Sequence, residues 1–245
     1  LVTHALPRDS RTRLAVVTPS HQFPTGAVLS LPRRMQLLDW AQRRRCWLIE
    51  DDYDGEFRYG TRPLAALKSL DRAGRVLYVG SFSKVIFPAL RLGYMVLPPG
   101  LREAFVAAKW LTDRGSTAIE QSALARLIGS GAFERHLRRA ANTLRTRRSA
   151  LLGALHRYAG DAVEVADSSA GMHILAGLPR ASHAQARALV ERARARGVGV
   201  YLVAPYCYKP LRHPGLLLGY ADLPPADLQA AVRILAECLS QIKES

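Results

Sequence analysis

Four short apolar runs, each closed abruptly by polar or turn-forming residues, constrain this chain more than anything else in it. Leu14-Ala15-Val16-Val17 ends in Thr18-Pro19, and Cys46-Trp47-Leu48-Ile49 ends in Glu50-Asp51-Asp52. Val76-Leu77-Tyr78-Val79 ends in Gly80-Ser81-Phe82-Ser83-Lys84, and the run from Leu92 to Leu97 ends in Pro98-Pro99. Short apolar runs bounded by turn signals read as buried strands. Between the first two, Leu31, Met35, Leu38 and Ala41 recur at helical spacing. Strands alternating with helices spell an α/β sheet, whose site lies outside the carboxyl ends of its strands. The polar residues closing the first three runs are expected to end those strands and to be free for chemistry.

The rest of the chain changes texture twice. From about Leu101 to Tyr158 the pattern is helical, with Ile119, Ala123, Leu124, Leu127 and Ile128 on one stripe. The basic stretch Phe133 to Tyr158 is polar on one face, as a helix bridging two domains often is. Beyond Gly160 the units shorten. Strands are expected at Val163–Val165, Met172–Leu175, Val198–Val203 and Leu216–Tyr220, and a helix over Ala184–Arg196. A last helix opens after Pro224-Pro225 with Leu228, Val232, Leu235 and Leu239 on one face. The expected domains are 1–145, mixed α/β, and 146–245, a small α+β domain.

Composition excludes several classes. A chain of 245 residues with 49% hydrophobic residues can bury a core and is not a disordered chain. No apolar run approaches the ~20 residues of a spanning helix; the longest, Val76 to Leu101, is broken by Lys84 and Arg91. The net charge of +15 is carried almost entirely by arginine, lysine occurring only at 68, 84, 109, 209 and 243. Such a surface can attract polyanions. No basic-aromatic cluster and no helix-turn-helix or zinc-finger spacing accompanies it, so the arginines read as solvated helix faces. Three distant cysteines, Cys46, Cys207 and Cys238, fit free thiols in a reducing, cytoplasmic compartment, and no spacing points to a metal. The chain opens without Met and without a signal-peptide pattern, and is read as a piece of a longer protein.

Three strand-end motifs carry the chemistry: Thr18-Pro19-Ser20-His21-Gln22-Phe23-Pro24-Thr25-Gly26, Glu50-Asp51-Asp52-Tyr53-Asp54-Gly55-Glu56-Phe57, and Ser81-Phe82-Ser83-Lys84 followed by Pro88 and Arg91-Leu92-Gly93-Tyr94. Together they offer acids, a phenol, hydroxyls, a lysine and an arginine. That set suits a phosphorylated aromatic aldehyde. A deprotonated lysine amine forms a Schiff base, a carboxylate keeps a pyridine nitrogen protonated, and hydroxyls, backbone N–H groups and arginine hold a phosphate.

In order and spacing, the three motifs resemble fold-type I pyridoxal 5′-phosphate proteins, the aspartate-aminotransferase superfamily. They are most similar to the aminotransferase-like domain of MocR/GabR-type transcription regulators in the GntR group, a branch also matched by Glu120-Gln121, Gly131-Ala132-Phe133-Glu134-Arg135-His136-Leu137-Arg138-Arg139 and Gly215-Leu216-Leu217-Leu218-Gly219-Tyr220. The resemblance implies that residues 1–145 are part of a large cofactor-binding domain. It implies that Lys84 carries the internal aldimine, that Asp51 pairs with the pyridine nitrogen, and that Tyr53 hydrogen-bonds the 3′-oxygen. Ser81, Ser83 and Arg91 would contact the phosphate. It further implies a homodimer, an amine, amino-acid or vitamer effector, and DNA binding through a winged-helix module upstream of this chain. The alternative is a catalytic aminotransferase acting on an amino acid or amine.

Two positions depart from the enzymes of that superfamily. Phe23 stands where an Asn reaches the 3′-oxygen, with Gln22 or His21 as possible substitutes. Leu217 stands where an Arg grips the substrate α-carboxylate, with Arg212 nearby in sequence. Both departures favour a sensor over a turnover enzyme. His173, after Gly171-Met172, reads as a core or interface histidine.

Overall fold

The structure, a computed structural model, describes residues 11–59, 65–166, 170–209 and 211–241. They fall into two compact units. The first holds the residues up to Gln22 together with Ala27–Arg138; the second holds Phe23–Gly26 and the chain from Arg139 onward.

In the first unit, β1 (Leu14–Val17), β2 (Trp47–Asp52), β3 (Val76–Ser81) and β4 (Gly93–Val96) form one sheet in sequence order. The first three are parallel and β4 is antiparallel to β3. Helix α1 (Leu31–Arg44) is the crossover from β1 to β2, and Leu37, Trp40 and Ala41 pack with Leu48 and Val76 of the sheet. A short helix, α2 (Leu67–Leu70), precedes β3, and α3 (Arg102–Asp113) and α4 (Ala118–Gly129) follow β4. Helix α5 (Ala132–Ala154) contains the division between the units, at Arg138–Arg139.

The second unit is built on an antiparallel sheet of β5 (Glu164–Val165), β6 (His173–Gly177), β7 (Tyr201–Leu202) and β8 (Gly215–Gly219), in the order β5-β6-β8-β7. Its core takes Leu144, Leu151 and Ala154 from α5, Leu189 and Ala193 from α6 (His183–Ala195), and Leu228, Val232, Leu235 and Leu239 from α7 (Pro225–Ser240). The stripe expected on the last helix is thus the buried one. Ser182 opens α6 with a capping box, its hydroxyl accepting from the Gln185 N–H while the Gln185 side chain accepts from the Ser182 N–H.

Four sequence expectations are corrected. Helix α1 exists, but Leu31 and Met35 are exposed and the buried face carries Arg34, Leu37, Trp40 and Ala41. Glu50-Asp51-Asp52 does not end the second strand; it is part of β2, and Glu50 is fully buried. Strand β7 covers only Tyr201–Leu202 of the run Val198–Val203. In α4, Ile119 is 83% exposed, so its stripe is not a core face among the described residues.

One ionic feature accounts for the first two. The Arg34 guanidinium is buried, with Nε donating to Leu29 O at 2.8 Å, Nη2 to Pro19 O at 2.8 Å and Nη1 to Ala65 O at 3.1 Å. Its Nη1 also lies 3.9 Å from Glu50 Oε1. The Glu50 carboxylate accepts the free N–H groups of Leu67 and Lys68 at the start of α2, both at 2.8 Å. A polar pair with every partner supplied can occupy a core position.

Candidate functional site

The strand register brings the sequence motifs to one end of the first unit's sheet. Asp51 lies opposite Val79 and Asp52 opposite Gly80. Side chains alternate along a strand, so Asp51 and Ser81 belong to one face of the sheet and Asp52 and Gly80 to the other. Ser81 is the last residue of β3 and lies opposite Gly93 of β4. Its hydroxyl accepts the Ser83 N–H at 3.1 Å, and the Ile86 N–H donates to Phe82 O at 3.0 Å. These bonds shape a turn that carries Lys84 exposed at the strand end. The next residue anchors it: Val85 is buried and its carbonyl lies 2.7 Å from His136 Nε2.

Arg91 follows the 3-10 turn Pro88–Leu90 with φ +49°, a left-handed conformation that non-glycine residues seldom hold. Backbone strain of this kind concentrates at functional positions. The arginine is exposed and borders a cavity of about 640 Å³ lined also by Phe82, Tyr94, Lys109 and Gln121. Asp51, Ser81, Ser83, Lys84 and Arg91 therefore sit on adjoining strand ends and the turns that follow them. Tyr53 is engaged elsewhere: its hydroxyl lies 3.1 Å from His21 Nδ1, which is 2.8 Å from Asp54 Oδ2.

The electrostatics of this end are acidic. Burial first, then the charges of Asp52 and Asp54, push the Asp51 carboxyl above its usual range. Burial and the same two neighbours raise Glu56. Burial raises Glu50 against the opposing pull of the Lys68 and Leu67 N–H groups and Arg34. Asp52 Oδ2 accepts from the Tyr78 hydroxyl at 2.8 Å, whereas Asp52 Oδ1 and Asp54 Oδ1 are buried without a hydrogen-bond partner. Such a cluster favours a cation bound beside Asp51.

In the second unit the two departures keep their apolar character. Leu217 is 7% exposed in β8, opposite Leu175 on one side and Tyr201 on the other. Arg212 is exposed in the loop before β8. Phe23 packs edge-on against His173 at 5.3 Å and Tyr206 at 4.9 Å, and His173 Nε2 lies 3.2 Å from Pro24 O. Sequence reasoning gave the pairing of His21 with Asp54 no weight. The only hint was their place in two motifs that the fold brings together.

The aminotransferase class I and II family profile matches residues 2–235. The chain belongs to that family. The uncharacterised HTH-type transcriptional regulator YhdI of Bacillus subtilis is 37% identical over 91% of the chain and 47% of that protein. The probable rhizopine catabolism regulatory protein MocR of Rhizobium meliloti is 33% identical over 95% of the chain and 47% of that protein. The chain thus spans about half the length of these curated relatives. Among solved structures, the α-aminoadipate aminotransferase LysN of Thermus thermophilus, complexed with N-(5′-phosphopyridoxyl)-L-leucine, superposes with a TM-score of 0.84 at 30% identity, covering 96% of this chain and 61% of that one. The fold is that of fold-type I aminotransferases, as the motifs implied. Among the described residues no helix is long and apolar enough to cross a membrane and no group of side chains could hold a metal.

Proposed function

We propose that this family member is the ligand-sensing part of a MocR-type transcription regulator and holds pyridoxal 5′-phosphate on Lys84. The observation that carries the reading is the juxtaposition at the sheet end: an acid of raised proton affinity, Asp51, on the same face as Ser81, with Lys84 on the turn that follows. The donor set fits the group by its chemistry. When bound, the cofactor supplies an aldehyde carbon for an amine and a protonated pyridine ring that withdraws electrons. Lys84 would hold it covalently, and its exposed position leaves the amine open to exchange with an incoming amine. Asp51 would keep the proton on the ring nitrogen, relieving its own repulsion from Asp52 and Asp54. Tyr53 would donate to the 3′-oxygen. Ser81, Ser83 and Arg91 would bind the phosphate, Arg91 from its fixed left-handed turn.

The regulator reading is favoured over the aminotransferase by Leu217. It presents a buried alkyl group where the enzymes of this fold place an arginine, so a substrate carboxylate finds no bidentate partner there. Orientation is a large part of what such an enzyme supplies. The sensed molecule is an amine, amino acid or vitamer. A homodimer, a cytoplasmic location and DNA binding through another segment of the full protein belong to the same reading.

Titration of the chain with pyridoxal phosphate tests it. A visible absorption band that forms with wild type and is absent in Lys84→Ala is the expected result. A band of equal strength in Lys84→Ala overturns the assignment. Steady transamination of an amino acid and a 2-oxo acid by the loaded protein would favour the enzyme instead.

A further inference from the structure

Lys84 sits in a single helical turn that cannot continue. The Ile86 N–H donates to Phe82 O at 3.0 Å and closes the turn around Ser83, Lys84 and Val85. A longer helix would need residue 88 to donate to Lys84 O, and Pro88 has no N–H. One closed turn fixes several dihedral angles for one hydrogen bond, so it does not hold its shape unaided. A longer helix would also have given Val85 O the Ala89 N–H. That carbonyl turns instead to α5, where His136 Nε2 lies 2.7 Å away. A carbonyl oxygen can only accept, so Nε2 carries a proton and donates it.

The same helix reaches the turn a second time. Phe133 stands three residues before His136, on the same face of α5. Its ring meets the Phe82 ring edge-on, with centroids 5.9 Å apart. Both Phe133 and His136 are half-buried, whereas Glu134 and Arg135 between them are exposed. Helix α5 thus holds the residues on either side of Ser83 and Lys84, Phe82 through Phe133 and Val85 through His136. The Val85 side chain is buried while Lys84 is exposed, so the turn is fixed at its edges and open at the lysine.

We propose that His136, seconded by Phe133, is a positioning residue: by fixing this turn it aims the Lys84 amine at the aldehyde carbon of a bound pyridoxal phosphate. This rests on the covalent role given to Lys84 above. Capture condenses the amine with the aldehyde, forming a carbon–nitrogen double bond and releasing water. The phosphate contacts hold the ligand whether or not capture occurs. The gain from capture therefore depends on how steadily the amine stands within reach, an effective concentration set by the rigidity of the turn. His136 acts on the covalent step and not on recognition of the phosphate.

Two ligands isolate that step. Pyridoxine 5′-phosphate carries an alcohol where pyridoxal phosphate carries the aldehyde, so it makes the ring and phosphate contacts but is not captured. The readout is the ratio of its Kd to that of pyridoxal phosphate, by calorimetric titration of the chain. Any loss through Ser83, which shares the turn, falls on both ligands and cancels. His136→Leu keeps bulk and removes the donor, and is expected to lower the ratio about tenfold, the scale of one hydrogen bond to a buried carbonyl. His136→Gln, whose amide N–H reaches about as far as Nε2, is expected to restore most of it. If Lys84→Ala abolishes the preference but His136→Leu leaves the ratio unchanged, even with both affinities reduced, the positioning role is overturned and capture by Lys84 stands. A wild-type ratio that Lys84→Ala does not alter overturns capture by Lys84, and the positioning role with it. A further measurement needs no variant: in the unliganded wild type, nitrogen-15 NMR should show His136 protonated on Nε2. Protonation on Nδ1 alone overturns the proposal, because Val85 O would then face a lone pair.

Discussion

Arg34 illustrates what a single residue can hide. Its three hydrogen bonds tie the carbonyls of Pro19, Leu29 and Ala65 to α1, and its charge faces Glu50. Replacing it leaves a buried carboxylate unbalanced and three acceptors without a donor, so Arg34→Met is expected to cost about 3–5 kcal/mol in urea unfolding. Arg34→Lys should lose most of that as well, because one ammonium cannot reproduce the guanidinium's fork. This residue was not legible in the sequence. A periodic pattern sorts apolar from polar, and so it put Leu31 and Met35 inside and Arg34 outside. Asp51 was legible, because its motif carried it, and its proton affinity yields a second prediction. A carboxyl whose folded pKa is raised contributes stability below the ordinary carboxylate range and loses it as pH climbs through the folded value. The urea midpoint of Asp51→Asn should therefore gain on that of wild type as pH rises from about 4 toward neutrality. A gap that stays constant or narrows would contradict the raised affinity.

Among the elements, β3 and β4 approach each other closely at Gly80 and Gly93. A Cβ on Gly93 would stand 2.9 Å from the carbonyl oxygen of Gly80, a backbone atom that cannot swing aside. Gly93→Ala is expected to destabilise the protein by about 1–3 kcal/mol and, by prising β4 away from Ser81, to weaken cofactor binding. Gly153→Ala is the matched control: a Cβ there, inside α5, meets nothing within 4 Å. It should stabilise by about 0.5–1 kcal/mol, as removing a glycine from a helix does. The strands β1, β2 and β3 could be read from sequence because short apolar runs bounded by turn residues announce strands, although Leu14 and Val16 of β1 are exposed and not buried as the run implied. Where they end could not, since Glu50-Asp51-Asp52 continues β2 only because Arg34 and the start of α2 supply partners from elsewhere. The site was read in the same uneven way. Ser81 at the end of β3 and Ser83 and Lys84 after it emerged from their motif, whereas His21 with Asp54 needed the fold to bring two motifs together.

For the whole molecule the decisive quantity is the net charge of +15. On α5 the exposed side includes Arg135, Arg138, Arg139 and Arg145, and α6 adds Arg187, Arg192 and Arg194. Several are opposed by neighbours on the same helix, Arg138 by Glu134 at 4.0 Å and Arg194 by Glu191 at 3.9 Å, pairs that are exposed and contribute little. These helix faces carry charge without interleaved aromatic side chains that could stack on bases, and charge alone reads phosphate spacing, not sequence. The chain is thus expected to bind duplex DNA or heparin weakly at low salt. It should show no preference between a promoter fragment and a scrambled duplex, and lose most of that affinity between about 50 and 200 mM salt. Fluorescence anisotropy over a salt series checks both points. A preference that survives at the higher salt would place sequence recognition on these helices and remove the need for a separate DNA-reading segment, against the division of labour proposed for this regulator.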